Sequence, residues 1–352
     1  MPLQAAPAHP RTYLPVLPTA IRGPAGQLAS TDFRLNSIDL YLTSTCNRKC
    51  AYCFLGEPFF SSKLNIDLDR VREILSWAAG SSIQEITLLG GEPALHPDFV
   101  AIVGLIASAN LHVRTVTNGS PRFRKALRDP VVAAGIGRVA LSLDAPSPEI
   151  FDALRGPRAF ADIMLTIDLL RELRKPFEIN FTVVQSSLPY VRQMLALAED
   201  LGARRINMHW FSEIGRARGA GEGVTSAEWN RVLEEVRTFR PRRRDFIVDC
   251  ELGFGFGMPG EDKQMCAVRE RSNLQFMPDG AVFSCGMLVD QPDLAGYRWS
   301  NGGLYSRQGE TELSLTATSC DGCPVRTTGA TSDGTSRVPL CIYNRLDRGE
   351  RL

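Results

Sequence analysis

The sequence predicts an α/β protein: a partial (β/α)6 TIM-like barrel followed by a small cysteine-rich α+β domain. Three observations predict it. Short apolar strands alternate with amphipathic helices through residues 36–240, the pattern of a parallel sheet with right-handed crossovers. After residue 240 that alternation stops, and glycine, cysteine and short strands dominate. The length, 352 residues, suits one large domain plus a smaller one.

The elements follow in order. Residues 1–35 are rich in proline and alanine and read as an extension ahead of the barrel. Strands are predicted at 37–43, 85–90, 112–119, 138–144, 176–184 and 204–211, each followed by a segment with apolar residues at helical spacing. Those helices are placed at 67–79, 98–109, 121–134, 160–174 and 190–202, with a further one at 226–240. In barrels of this kind the chemistry sits at the carboxyl ends of the strands. Residues 241–352 form the second domain, with too little regular core to look stable without a metal.

Composition narrows the function. The chain is 44% hydrophobic and 22% charged with a formal net charge of +1, ordinary for a globular protein and without a nucleic-acid or membrane-surface footprint. No apolar run is long enough to span a bilayer, and the first residues do not form a signal peptide. A cytoplasmic location is the expectation. The nine cysteines are clustered, three within residues 46–53 and six from Cys250 on. Without an export signal, metal ligation is a better reading of that clustering than a disulfide framework.

The front cluster reads Cys46-x3-Cys50-x2-Cys53 on the loop after the first barrel strand. Iron–sulfur clusters are held by cysteine thiolates, usually four. Three on one tight loop can bind three irons of a cubane and leave the fourth open to a cofactor or substrate. A tetrahedral zinc site would want a fourth protein ligand close by, and the sequence offers none.

This spacing, with aromatic Tyr52 before the last cysteine, resembles the signature of the radical S-adenosylmethionine (SAM) superfamily. The resemblance implies a [4Fe–4S] cluster whose open iron binds SAM, and reductive cleavage of SAM to a 5′-deoxyadenosyl radical that abstracts hydrogen from a substrate. It also implies an external one-electron reductant of flavodoxin or ferredoxin type. Gly90-Gly91-Glu92-Pro93, after the second strand, matches the motif that holds the SAM amino group. Thr117 and Asn118 end the third strand at the same mouth, and Ser142 and Asp144 end the fourth, where SAM ribose and carboxylate contacts are expected. Asn180 and Thr182 in the fifth strand are weaker candidates for the ribose. Arg155 resembles an arginine that pairs with the SAM carboxylate or with substrate, a surface salt bridge being the alternative. Arg216 and Arg218, after the sixth strand, sit where they can bind an anionic group. His209 and Trp210 precede them, and for His209 a structural role is favoured.

The later cysteines resemble the opening of SPASM and twitch domains: Cys266, thirteen residues, Gly280 and Cys285, then Cys320-x2-Cys323. A β-hairpin turning at Asp279 and Gly280 would carry the first pair. The cysteines of a second auxiliary cluster are missing. One auxiliary [4Fe–4S] cluster on Cys266, Cys285, Cys320 and Cys323 is therefore expected, with Cys341 as a substitute ligand. Zinc is the alternative for Cys320 and Cys323. Cys250 reads as a buried small hydrophobe. The minority reading makes Cys250 or Cys341 a hydrogen-atom donor.

The leading expectation is an enzyme acting on a small polar natural product, such as a sugar, aminoglycoside or sugar nucleoside. The reaction would be dehydrogenation, epimerisation or a decarboxylation such as that of cytosylglucuronic acid. The alternative is a maturase of a ribosomal peptide. A third reading is a non-catalytic iron–sulfur or zinc scaffold.

Overall fold

The computed structural model describes residues 27–250 and 272–306. A twelve-stranded sheet forms its framework. In chain order the strands are β1 (Gln27–Leu28), β2 (Ser37–Tyr41), β3 (Glu85–Leu89), β4 (His112–Thr117), β5 (Ile136–Ser142), β6 (Phe177–Val183), β7 (Arg205–Trp210), β8 (Ile247–Cys250), β9 (Asn273–Phe276), β10 (Ala281–Phe283), β11 (Tyr297–Ser300) and β12 (Gly303–Ser306). Strands β2 to β8 lie side by side in sequence order, all parallel. On the other side of β2 comes β9, also parallel, and then β10, β11, β12 and β1, all antiparallel.

The mixed α/β barrel framework is the one expected, and the predicted strands are β2 to β7. The structure adds β8 to the parallel array. Its four residues follow an arginine-rich stretch and carry too short a pattern to be read as a strand.

The helices are α1 (Glu57–Ser62), α2 (Leu68–Ala78), α3 (Phe99–Ser108), α4 (Pro121–Leu127), α5 (Pro130–Gly135), α6 (Pro148–Arg155), α7 (Ala159–Glu172), α8 (Val191–Asp200) and α9 (Ser226–Thr238). The stretch 121–134, expected as one helical segment, is two helices. Pro130 has no N–H to continue α4, and the Asp129 side chain accepts the Val131 N–H at 2.9 Å to cap a new start. Helix α9 opens with a capping box: Thr225 Oγ1 accepts the Glu228 N–H, and Glu228 accepts the Thr225 N–H at 2.8 Å.

One sheet face is apolar and packs on the helices, with Ile38, Leu40, Ile86, Leu88, Ile179 and Ile206 fully buried in a single core. The opposite face is polar. Asp39, Thr87 and Arg114 stand in register across β2 to β4, and Asn180, Asn207 and Asp249 across β6 to β8. Arg114 and Arg138 both pair with Glu178 at 3.3 Å, and Asn207 donates to Asn180 at 2.9 Å. Burial pushes the Asp39 carboxyl up to about 6. Most of these polar groups pair with one another, while Asn273 Oδ1 on β9 is buried without a partner.

Strands β9 and β10 form the expected hairpin. Gly280 occupies its turn at φ 89°, where a side chain would also meet the Trp299 carbonyl. Trp299, Trp77 and Phe276 meet edge-on, with centroids 5.8–6.0 Å apart, and fasten this extension to α2.

Candidate active site

The three front cysteines lie on the loop that leaves the carboxyl end of β2, and each is partly exposed. Among the described residues no group of three His, Cys, Asp or Glu side chains is arranged to hold a single metal ion. A cluster asks for something different, because each cysteine then binds its own iron. Burial, with the charges of Glu92 and the other cysteines, pushes the Cys46 thiol up to about 12, and burial pushes Cys53 up to about 11. Iron bound there would favour the thiolates against that burial. The donor set fits a cluster.

The glycine turn after β3 is folded directly onto this loop. The Gly91 N–H donates to the Thr43 carbonyl at 2.8 Å and the Glu92 N–H to the Thr45 carbonyl at 2.9 Å. A Cβ on Gly91 would stand 2.3 Å from the Thr45 oxygen and 2.8 Å from Cys46 Cβ, so no side chain fits. Pro93 follows in a buried 3-10 turn.

Glu92 is fully buried. Its carboxylate accepts from the Thr117 hydroxyl at 2.7 Å and from the Asn118 N–H at 2.9 Å, tying β3 to the end of β4. Asn118 Nδ2 donates to Asn47 Oδ1 at 2.9 Å and lies 3.8 Å from Cys46 Sγ. Its Oδ1 is buried without a partner.

Burial raises the Glu92 carboxyl from its ordinary 4.5 to about 7 against the hydrogen bonds that favour the anion. The folded chain therefore holds a proton that the unfolded chain releases between these values. Stability should fall as pH rises through that window. In iron-free protein, Glu92→Gln should gain on the wild type in urea midpoint between about pH 5 and about pH 8. Equal midpoints at both would refute this.

A second network closes the other side. Asp144, at 0% exposure, accepts from the Tyr52 hydroxyl, from Arg155 Nε at 2.5 Å and from the Thr182 N–H at 2.7 Å. Arg155 also reaches the Tyr52 oxygen at 2.7 Å and approaches Cys50 Sγ at 4.0 Å. Its guanidinium carbon sits 5.3 Å from the Tyr52 ring centre. Tyr52, Asp144 and Arg155 thus join the cysteine loop to the ends of β5, α6 and β6. Ser142 is half-buried at the end of β5, in register with Asn180.

Arg216 lies over the Phe60 ring at 3.9 Å, bonds Glu57 at 2.5 Å and feels the charges of Cys53 and Cys46. Arg218 is half-exposed and pairs with Asp290 at 3.0 Å. Gly215, at φ 61°, packs against the Phe54 carbonyl, so the loop after β7 presses on the cysteine loop. His209 is half-buried on β7, and Trp210 packs edge-on against Trp229 at 5.2 Å.

Of the remaining cysteines, the structure describes Cys250 and Cys285. Cys250 is buried in the main core, on the strand face it shares with Met208. Cys285 lies just after β10, in a smaller apolar cluster that also contains Cys53, Phe54 and Tyr41. Cys266, Cys320, Cys323 and Cys341 lie outside the described residues.

Sequence reasoning passed over one clasp. Asp162 on α7 takes Arg48 of the cysteine loop at 2.5 Å and Arg124 of α4 at 3.0 Å. Arg48 sits inside the motif, but its partner is 114 residues away, and no local signal joins them.

The comparisons with known proteins agree with this geometry. The family model of the radical SAM superfamily matches residues 40–198. The AdoMet-dependent heme synthase of Methanosarcina barkeri is 27% identical over 339 residues, covering 86% of this chain and 95% of that protein (AdoMet is SAM). The PqqA peptide cyclase of Ruegeria pomeroyi is 24% identical over 327 residues, 85% of each. In fold, the solved structure of native anSMEcpe with bound AdoMet superposes with a TM-score of 0.60 at 17% identity, covering 89% of this chain and 95% of that one. No helix among the described residues is long and apolar enough to cross a membrane.

Proposed function

This chain belongs to the radical SAM superfamily, and from that premise we propose that it cleaves SAM reductively and abstracts a hydrogen atom from a small-molecule substrate. Bound at Cys46, Cys50 and Cys53, the [4Fe–4S] cluster would supply the electron and an open iron for SAM. What carries the reading is the meeting of the cysteine loop, the Gly90–Gly91 turn and the Asp144–Arg155 pair at the carboxyl ends of β2, β3 and β5.

The chain's own groups support distinct tasks. Gly90 and Gly91 let their turn close on Thr43 and Thr45 of the cysteine loop, which sets Glu92 beside that loop for the SAM amino group, while Thr117 and the Asn118 N–H hold its carboxylate in place. Asn118 Oδ1 offers an unused acceptor. Arg155 brings positive charge beside Cys50, where a carboxylate can be met. Ser142, Asn180 and Thr182 line the strand ends for the ribose.

For the substrate, the heme synthase match over nearly the whole of both chains favours a non-peptide small molecule. The relatives reported above are not sugar enzymes by name, so a sugar or aminoglycoside gains no support from them. A peptide substrate is the second reading, favoured by the match to a peptide cyclase over 85% of this chain. One auxiliary cluster on Cys266, Cys285, Cys320 and Cys323 belongs to the same proposal, with Cys341 as the substitute ligand.

The test is anaerobic reconstitution, reduction with dithionite and detection of 5′-deoxyadenosine. Deuterium transfer from labelled tetrapyrrole or peptide substrates into that product would then choose between the readings. No 5′-deoxyadenosine from iron-loaded, reduced protein would refute the function.

A further inference from the structure

We propose that the outer face of the cysteine loop is a docking surface for an acidic one-electron carrier protein, with Lys49, Arg122 and Arg158 as its cationic contacts. The proposal rests on the radical SAM reading and names a partner for that site.

Hydrogen bonds bring these residues around one spot. Asn47 is held by Asn118 at 2.9 Å, and two residues on Ser120 caps α4, which presents Arg122. Arg48 donates to the Pro157 carbonyl at 2.6 Å and reaches the Arg158 carbonyl, which sets the 157–158 turn against the same loop. Lys49 follows Arg48 on the same loop, and Lys49, Arg122 and Arg158 are all exposed.

These three stand apart from the paired cations around the loop. Asp162 pairs with both Arg48 and Arg124 and leaves one positive charge over in that trio, while Asp144 balances Arg155. Glu57 is engaged by Arg216, though it also feels Lys49. The Asp152 carboxylate accepts the N–H groups of Arg158 and Phe160, at 2.8 Å each, and keeps its negative charge beside the 157–158 turn. Glu149, exposed at the start of α6, is the remaining carboxylate on that helix. Among the described residues Lys49, Arg122 and Arg158 form no ion pair. With a net charge of only +1 for the chain, this is a local feature.

The chemistry selects the partner. An electron reaches a cluster efficiently only from a donor brought close to it, and the partly exposed cysteines make this face the short route in. Unpaired cations around that entry would attract and orient a negatively charged carrier, chiefly raising its association rate.

The experiment compares two electron sources on the reconstituted holoenzyme, reduced flavodoxin and dithionite, reading 5′-deoxyadenosine. In the Lys49→Glu/Arg122→Glu/Arg158→Glu variant, the flavodoxin concentration for half-maximal rate should rise by about tenfold or more. Added salt should weaken the wild type toward the variant, because exposed charges are screened beyond a Debye length of about 10 Å at 0.1 M. The dithionite-driven rate should stay within about twofold, since dithionite needs no docking. An unchanged flavodoxin requirement would overturn the proposal. So would a parallel fall with dithionite, which would place the cations in the site itself. Wild-type holoenzyme inert to both sources would count against the radical SAM reading and take the docking surface with it.

Discussion

After anaerobic reconstitution, the Cys46→Ala/Cys50→Ala/Cys53→Ala variant is expected to hold about four fewer irons per chain than the wild type and to make no detectable 5′-deoxyadenosine. The variant lacks the three thiolates that would bind the irons. Among the described residues no trio of His, Cys, Asp or Glu is arranged to hold a metal ion, so no ready-made site replaces the three thiolates of the loop. The folded scaffold should survive, because the loop is held by other atoms: Gly91 and Glu92 N–H on Thr43 and Thr45, Arg48 on Asp162, and Ala217 N–H on the Cys53 carbonyl. Unchanged iron content would move the cluster off this loop. A wild type with about eight irons would count two clusters, and the variant's remaining four would then report on the later cysteines.

The second large effect is expected at Asp144. Asp144→Ala should destabilise the protein by about 3–5 kcal/mol in a urea titration, the cost of leaving a buried charge without its partner. Asp144 is fully buried, and the Arg155 side chain is 13% exposed, so water cannot replace the lost carboxylate well. The Tyr52 hydroxyl and the Thr182 N–H lose an acceptor in the same step. Because Tyr52 lies between Cys50 and Cys53, SAM cleavage should fall as well. Removing Arg155 in the same chain should return part of the stability, since the uncompensated charge goes with it. A loss below about 1 kcal/mol would mean that the pair behaves as a hydrated surface bridge.

Both predictions use residues that were legible in the sequence, but only one interaction was. Cys46, Cys50 and Cys53 declare themselves by spacing along a single loop. Tyr52, Asp144 and Arg155 could each be singled out, yet the bonds between them cross 92 and 103 residues and form only when β5 and α6 come beside the cysteine loop. The Arg48–Asp162–Arg124 clasp was invisible for the same reason. Helices α1 and α6 are short and follow motif loops, so they offered little periodicity to read. The polar lumen was hidden by the apolar face of the same strands, whose valines, leucines and isoleucines dominate a simple hydrophobicity count.

By itself, then, the sequence determined the alternation of strands and helices, the loop that gathers the three thiols, and the glycines where two backbones must touch. Those are local facts: side-chain spacing, strand period, and the absence of a Cβ. The tertiary structure decided which carboxylate faces which arginine, that β8 joins the parallel array, that β9 lies beside β2, and which cations beside the cysteine loop stay unpaired. The physical reason is that an ion pair or a buried acceptor depends on chain segments far apart in sequence meeting at one strand end. Only the packed barrel brings them there.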